Sequence, residues 1–122
     1  MMREKFNFEP IDNLVERRMR QQMSQTEFWG QFGITQSSGS GYESGKKAPV
    51  QANVLMSRKN QNFSFKPIKN LFAIRVKNGM NQTEFWGQFK IPQSTGSRYE
   101  SGERPVPKYI TALVRLAYPD VK

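Results

Sequence analysis

Apolar side chains recur along this chain at the three- and four-residue spacing of short amphipathic helices, and the same series of helices occurs twice. In each series the first helix follows a proline, Pro10 or Pro67, which is expected in the first helical turn. The second helix carries an aromatic face, the third is short and polar, and a fourth follows. The pattern therefore predicts an all-α fold of two tandem four-helix units joined by a short linker.

The repeat is explicit in the sequence letters. The octapeptide QTEFWGQF occupies residues 25–32 and again 82–89, and a shift of 57 positions aligns 6–45 with 63–102 at 25 identities in 40. A repeat of this quality indicates duplication. We place the first unit at residues 1–56, a polar linker at 57–62 and the second unit at 63–122. Six linker residues span at most about 20 Å, so the units must be neighbours.

The second helix of each unit has a clear start signal. Ser24 or Asn81 can cap the helix with a side-chain oxygen, and a Glu three residues later completes a capping box. Helix 2 is therefore predicted to begin at Gln25 and at Gln82. The third helices begin at residues 36 and 93 and end at glycine, and the fourth helices cover residues 50–56 and 108–117.

Composition favours a polyanionic partner. Lys and Arg number 19 against ten Asp and Glu, for a formal charge of +9. The chain has no Cys and no His, which removes disulfides, thiolate metal sites and the commonest general base. We therefore expect no enzyme and no cofactor. No apolar run could span a membrane and the first residues do not form a secretory signal, so we expect a cytoplasmic, nucleoid-associated protein without a membrane partner.

A family resemblance lies in the segment that begins with helix 2. The run MSQTEFWGQFGITQSSGSGYESGKKAP resembles the Cro and phage-repressor helix-turn-helix family of the xenobiotic-response-element type. Its pattern is roughly Leu-Thr-Gln-x-Glu-Leu-Ala, then Gly-Val-Ser-Gln-x-x-Ile-Ser-x-Trp/Tyr-Glu-x-Gly, then a basic pair and Pro. The second copy, MNQTEFWGQFKIPQSTGSRYESGERPVP, resembles it as well. The resemblance implies a sequence-specific transcriptional regulator of double-stranded DNA, in most cases a repressor of a phage or mobile element.

The resemblance also implies roles for particular side chains. The start of the third helix reaches base edges in the major groove, and one turn later copy two has Arg98 where copy one has Gly41. The implied base-reading residues are Gln36, Ser37, Gln93, Ser94 and Arg98. The implied phosphate contacts are Gln25 and Gln82 at the helix 2 starts and Lys46, Lys47, Arg104 and Lys108 after helix 3.

Two further features of the family pattern concern support of the third helix. The family implies an ion pair between helix 1 and the end of helix 3, and both copies keep its members, Arg18 with Glu43 and Arg75 with Glu100. Where the family has Ala in helix 2 and Ile in helix 3, this chain has Trp29 with Gly39 and Trp86 with Gly96. We predict that each indole lies over its glycine and leaves no room for a side chain there.

Several alternatives stay open at this point. Residues 1–60 carry a net charge of +3 and residues 61–122 carry +6, which together with Arg98 indicates that copy two is the stronger reader. Copy one, with Gly41 and a weak fourth helix, could instead serve dimerisation or bind another protein. Apolar surface on that helix could also be covered by a second chain, so a homodimer stays open. The units could be related by a two-fold axis or by translation.

Overall fold

A computed structural model of the protein describes residues 6–58 and 62–121. This part of the chain contains eight α-helices and no strand, which confirms the predicted all-α class. Unit one contains α1 (Leu14–Arg20), α2 (Gln25–Gly30), α3 (Gln36–Glu43) and α4 (Val50–Met56). Unit two contains α5 (Leu71–Lys77), α6 (Gln82–Gly87), α7 (Gln93–Ser101) and α8 (Lys108–Ala117). Of the predicted linker, 57–62, residues 59–61 lie outside the described ranges.

The second helix of each unit begins at the predicted residue because a capping box fixes it there. Ser24 Oγ accepts a hydrogen bond from the Glu27 backbone N–H at 3.1 Å, and Glu27 Oε1 accepts one from the Ser24 N–H at 2.9 Å. Asn81 and Glu84 form the same box in unit two, at 2.8 and 3.0 Å. Each box satisfies two backbone donors and fixes the first turn of the helix.

The first helix of each unit begins later than the sequence predicted. The prolines were expected in its first turn, but α1 begins at Leu14 and α5 at Leu71, four residues after the proline in each case. An asparagine takes the capping position instead. Asn70 Oδ1 accepts a hydrogen bond from the Ala73 N–H at 3.0 Å, and Asn13 adopts a left-handed conformation with φ of 59°. Asparagine tolerates that conformation better than most residues. Asn70 thus caps α5 with its side chain, whereas Asn13 makes no side-chain hydrogen bond to the start of α1.

The fourth helices, α4 and α8, pack against each other and join the two units. Val54 of α4 packs in the core of unit two, and Ala112 of α8 packs in the core of unit one. The two residues occupy equivalent positions, since each is the fifth residue of its helix. Such reciprocal contacts are the mark of a two-fold relation, because a translation would pair unlike surfaces. The units are therefore related by a pseudo-two-fold axis that passes between α4 and α8.

Two short aromatic arms, residues 6–8 and 63–65, cross between the units. The ring of Phe6 lies 6.2 Å from that of Phe89 in unit two, and the ring of Phe63 lies 6.3 Å from that of Phe32 in unit one. The buried Asn53 side chain of α4 fixes the first arm, because its Nδ2 donates to the Phe8 carbonyl at 3.2 Å. Each arm thus completes the core of the unit that it does not precede in sequence.

This shared core predicts that the two units unfold together. Val54 is 1% exposed, and removing two of its carbons should cost about 2 kcal/mol by lost burial and a small cavity. Fluorescence of Trp29 and of Trp86, followed separately in Trp→Phe backgrounds, should give coincident urea midpoints. Val54→Ala should lower both midpoints equally, whereas Val50→Ala, at a 39% exposed position of the same helix, should change them little. Two separate transitions would contradict the shared core.

Candidate nucleic-acid interface

Helices α2 and α3, and their counterparts α6 and α7, form a helix-turn-helix in each unit. The turn is closed by a backbone hydrogen bond of 3.0 Å from the Ile34 N–H to the Trp29 carbonyl, and by its equivalent from Ile91 to Trp86. Both isoleucines are buried and anchor the turn in the core.

The described part of the chain contains no helix with the length and apolar character of a membrane span.

The indole of the second helix lies directly against the glycine of the third helix in both units. A Cβ atom added at Gly39 would overlap Cγ and Cδ1 of Trp29, and one added at Gly96 would overlap the same atoms of Trp86. Both indoles are completely buried. The glycine therefore allows the third helix to approach the second at the distance of a bare backbone, and this contact sets the position of the third helix.

A buried carboxylate near the end of the third helix connects three elements of each unit. Glu43 accepts two hydrogen bonds from the Arg18 guanidinium, at 2.9 Å from Nε and 3.0 Å from Nη2. It also accepts one from Trp29 Nε1 at 2.8 Å and one from Gln25 Nε2 at 3.1 Å. The Glu43 side chain is 5% exposed, so these donors replace water almost completely. Helix α3 is thereby fixed to both α1 and α2.

Unit two repeats this arrangement. Glu100 accepts from Arg75 at 3.0 and 3.1 Å, from Trp86 at 2.7 Å and from Gln82 at 3.3 Å. Burial on its own would raise the pKa of Glu100, but the hydrogen bonds from Arg75, Trp86 and Gln82 outweigh it and lower the pKa below its usual value. The pKa of Glu43 is lowered for the same reasons. Both carboxylates are therefore charged at neutral pH.

The carboxylate also fixes the first residue of the recognition helix through a chain of two glutamines. A carboxylate only accepts hydrogen bonds, so Gln25 must present its NH₂ group to Glu43 and its oxygen to the opposite side. Gln36 Nε2 donates to that Gln25 oxygen at 2.6 Å. Gln93 donates to Gln82 in the same way. The family resemblance implied that Gln25 and Gln82 contact the DNA backbone, which stays a prediction. In the structure the side chains of these two residues orient Gln36 and Gln93.

The remaining predicted base-reading residues lie on the exposed face of the third helix. Ser37 and Ser94 are exposed next to the oriented glutamines, and Arg98 is exposed one turn after Ser94. Because residues four apart share a helix face, Arg98 lies beside Ser94 along that surface. The guanidinium of Arg98 forms an exposed ion pair with Glu103, at 3.2 Å between Nε and Oε2.

The predicted phosphate contacts divide between the units in an unexpected way. Lys46 and Lys47 follow α3 in unit one, and Arg104 follows α7 in unit two; all three are exposed. Lys108, the first residue of α8, belongs to unit two in sequence, but its Cβ lies beside Gly33 in the turn of unit one. In unit two the position equivalent to Gly33 is occupied by Lys90. Each turn therefore has one lysine next to it, supplied by different segments of the chain.

Comparison with known proteins supports the helix-turn-helix assignment. A family model described as the RsaL-like HTH domain matches residues 15–57 and 72–117. The two matched segments confirm two tandem helix-turn-helix copies. They do not distinguish the Cro and phage-repressor type, which stays a prediction. No curated protein and no solved structure gave a significant match.

Proposed function

We propose that this chain, which belongs to the RsaL-like helix-turn-helix family, is a transcriptional repressor that reads double-stranded DNA with both of its units. A domain of this family indicates a DNA-binding regulator. The observation that carries this proposal is the repetition of one supporting network across a pseudo-two-fold axis. Each unit has the same buried carboxylate, the same pair of glutamines and the same indole under the recognition helix. With this role goes the proposal that the protein is cytoplasmic and associated with the nucleoid.

The pseudo-two-fold axis predicts the arrangement of the operator. Helix-turn-helix dimers bind two half-sites in successive major grooves, about 34 Å apart, and their two-fold symmetry is mirrored in the DNA. Here one chain supplies both units, joined by α4 and α8. We therefore propose an inverted repeat as the operator rather than a direct repeat.

The orientation of the glutamines favours adenine in each half-site. Adenine presents a donor and an acceptor in the major groove, and a glutamine amide pairs with both. One N–H of Gln36 is bound to Gln25, which leaves its oxygen and its second N–H for the adenine N6 and N7. Gln93 is oriented by Gln82 in the same way. The order already present in these side chains lowers the entropy cost of binding.

The runner-up proposal is that only unit two reads DNA and that unit one serves dimerisation or protein binding. Gly41 favours this proposal, because glycine has no side chain that could contact DNA, whereas Arg98 occupies the equivalent position in unit two. The burial of α4 argues against it. Ala52, Val54 and Leu55 are at most 1% exposed in contacts that the chain makes with itself. The fourth helix of unit one thus has little apolar surface left for a second chain.

Gln36→Ala and Gln93→Ala, made separately, test whether both units read DNA. Each should weaken binding to a selected duplex by about 5-fold to 150-fold, because a bidentate contact to adenine contributes about 1 to 3 kcal/mol. A gel-shift titration at fixed salt measures the change. Gln21→Ala, at an exposed position after α1, is the control and should bind normally. Loss with Gln93→Ala alone would instead support the runner-up proposal.

A further inference from the structure

On the proposed DNA-binding surface the two units differ where the recognition helix meets the loop that follows it. Unit one has Gly41 on the recognition helix and Lys46 in the loop after it. Unit two has Arg98 at the helix position, 57 residues later, and Glu103 and Arg104 in the loop. Residues 42–45 and 99–102, which connect the helix position to the loop, are identical in the two units.

In both units this helix position contacts the loop that follows it. In unit one the stem of Lys46 lies across Gly41, with its Cδ 3.2 Å from the place that a Cβ of residue 41 would occupy. The Lys46 N–H donates to the Gly41 carbonyl at 3.0 Å, which holds the loop there. In unit two Glu103 pairs with Arg98, and these side chains are 68% and 53% exposed. The backbone N–H that donates to the Arg98 carbonyl, at 3.2 Å, is that of Arg104. The loop thus places a basic residue beside this turn of the helix in both units, and only unit two adds a cation from the helix itself, paired with an acidic residue.

We propose that the presence of Arg98 in unit two, where unit one has Gly41, makes the half-sites of the operator unequal, so that the chain binds an imperfect inverted repeat in one fixed orientation. The proposal rests on the proposed function, since both units must read DNA. Unit two selects guanine at the base that Arg98 reaches, whereas unit one accepts any base at the corresponding position. The adenines read by Gln36 and Gln93 are common to both half-sites.

The chemistry of the two cations explains the difference. A guanidinium in a fixed helical position forms two parallel hydrogen bonds to guanine O6 and N7, which no other base provides. Glu103 offsets the charge of Arg98 and repels phosphate. It therefore weakens non-specific contacts with the DNA backbone more than it weakens the contact of Arg98 with guanine. The ammonium of Lys46 is a point charge on a flexible stem and discriminates little among bases. Unit two is thus selective at this position and unit one is tolerant.

Selection of random duplexes by the full-length chain tests the proposal, together with two exchange variants. Wild type should recover an inverted repeat with guanine at the variable position of one half-site only, preferred over other bases by about 5-fold to 150-fold. Gly41→Arg gives unit one the helix cation of unit two and should recover guanine in both half-sites. Arg98→Gly should recover guanine in neither. Each variant introduces a residue that the other unit already has at this helix position, and far-UV circular dichroism confirms folding.

The outcomes separate this proposal from the proposed function. A wild-type operator that is symmetric at the variable position, or exchange variants that keep the wild-type preference, would overturn the inequality of the half-sites while leaving two-headed DNA reading in place. Recovery of a single half-site, or no enrichment of any duplex, would overturn the proposed function and this inference with it. Only a change of the selected base that follows the exchanged helix residue supports the proposal.

Discussion

Gly96→Ile is expected to unfold unit two and, through the shared core, the whole chain. Overpacking a core typically costs about 1 to 3 kcal/mol when neighbours can adjust. Here the neighbour is the indole of Trp86, which is completely buried and donates a hydrogen bond to Glu100 at 2.7 Å. The new side chain would overlap its Cγ and Cδ1, atoms that cannot move without breaking that bond. We expect a loss of at least about 3 kcal/mol, measured by urea denaturation.

A glycine elsewhere in the same unit provides a matched control. Gly87 is the last residue of α6, and a Cβ added there meets no atom within 4 Å. Gly87→Ala should therefore leave stability unchanged or raise it by up to about 1 kcal/mol, because alanine is the better helix former. A harmful Gly87→Ala would show that helix glycines matter here for a reason other than the indole.

A double substitution tests the contact itself. Trp86→Ala alone should cost about 3 to 5 kcal/mol, since it leaves a cavity. Trp86→Ala/Gly96→Ile installs the Ala and Ile pair of the family that the sequence resembles, and the isoleucine then fills part of that cavity. The double variant should be more stable than the sum of the two single effects predicts. Strictly additive losses would contradict the idea that Trp86 and Gly96 compensate each other for the Ala and Ile of the family pattern.

The sequence revealed those parts of the fold that depend on local patterns. The capping boxes at Ser24 and Asn81 could be located because a cap and its glutamate are three residues apart and contact each other. The contact of Trp86 with Gly96 could be predicted because two departures from one family pattern occurred together, twice. The start of α1 was predicted wrongly, because a proline and an asparagine compete to begin a helix and pattern alone does not rank them.

Features that depend on the pairing of the units were out of reach. The arms each contain a Phe-x-Phe triplet that the duplication repeats, but nothing in so short a segment tells which unit it packs against. The distribution of charge between the two units also depends on how they pair. Residues 61–122 carry +6, which indicated a stronger second unit, yet Lys108 lies beside Gly33 of unit one. Sequence halves and spatial halves differ in this chain, so net charge per half does not rank the two readers.

Glu100→Ala is expected to be the second most damaging substitution. It removes the acceptor of four hydrogen bonds at once and leaves the Arg75 guanidinium, whose side chain is 13% exposed, without its partner. Breaking a buried ion pair by removing one member costs about 3 to 5 kcal/mol. Arg75→Ala should destabilise unit two for the same reason, and an unchanged melting temperature would refute a structural role for the pair. Glu16→Ala is the matched control, because its pair with Arg20 is exposed and should contribute about 0.5 kcal/mol.

The dependence of stability on pH distinguishes loss of charge from loss of packing. The pKa of Glu100 is lower in the folded chain than in the unfolded chain, where a glutamate titrates near pH 4.3. Its contribution to stability is therefore present above about pH 4.3 and is lost as the pH falls through the folded pKa. Glu100→Gln keeps an acceptor for Trp86 but not the charge, so its urea midpoint should fall less steeply than that of wild type on acidification. Parallel curves would mean that the carboxylate stabilises the recognition helix by its shape and hydrogen bonds, and that its charge contributes nothing.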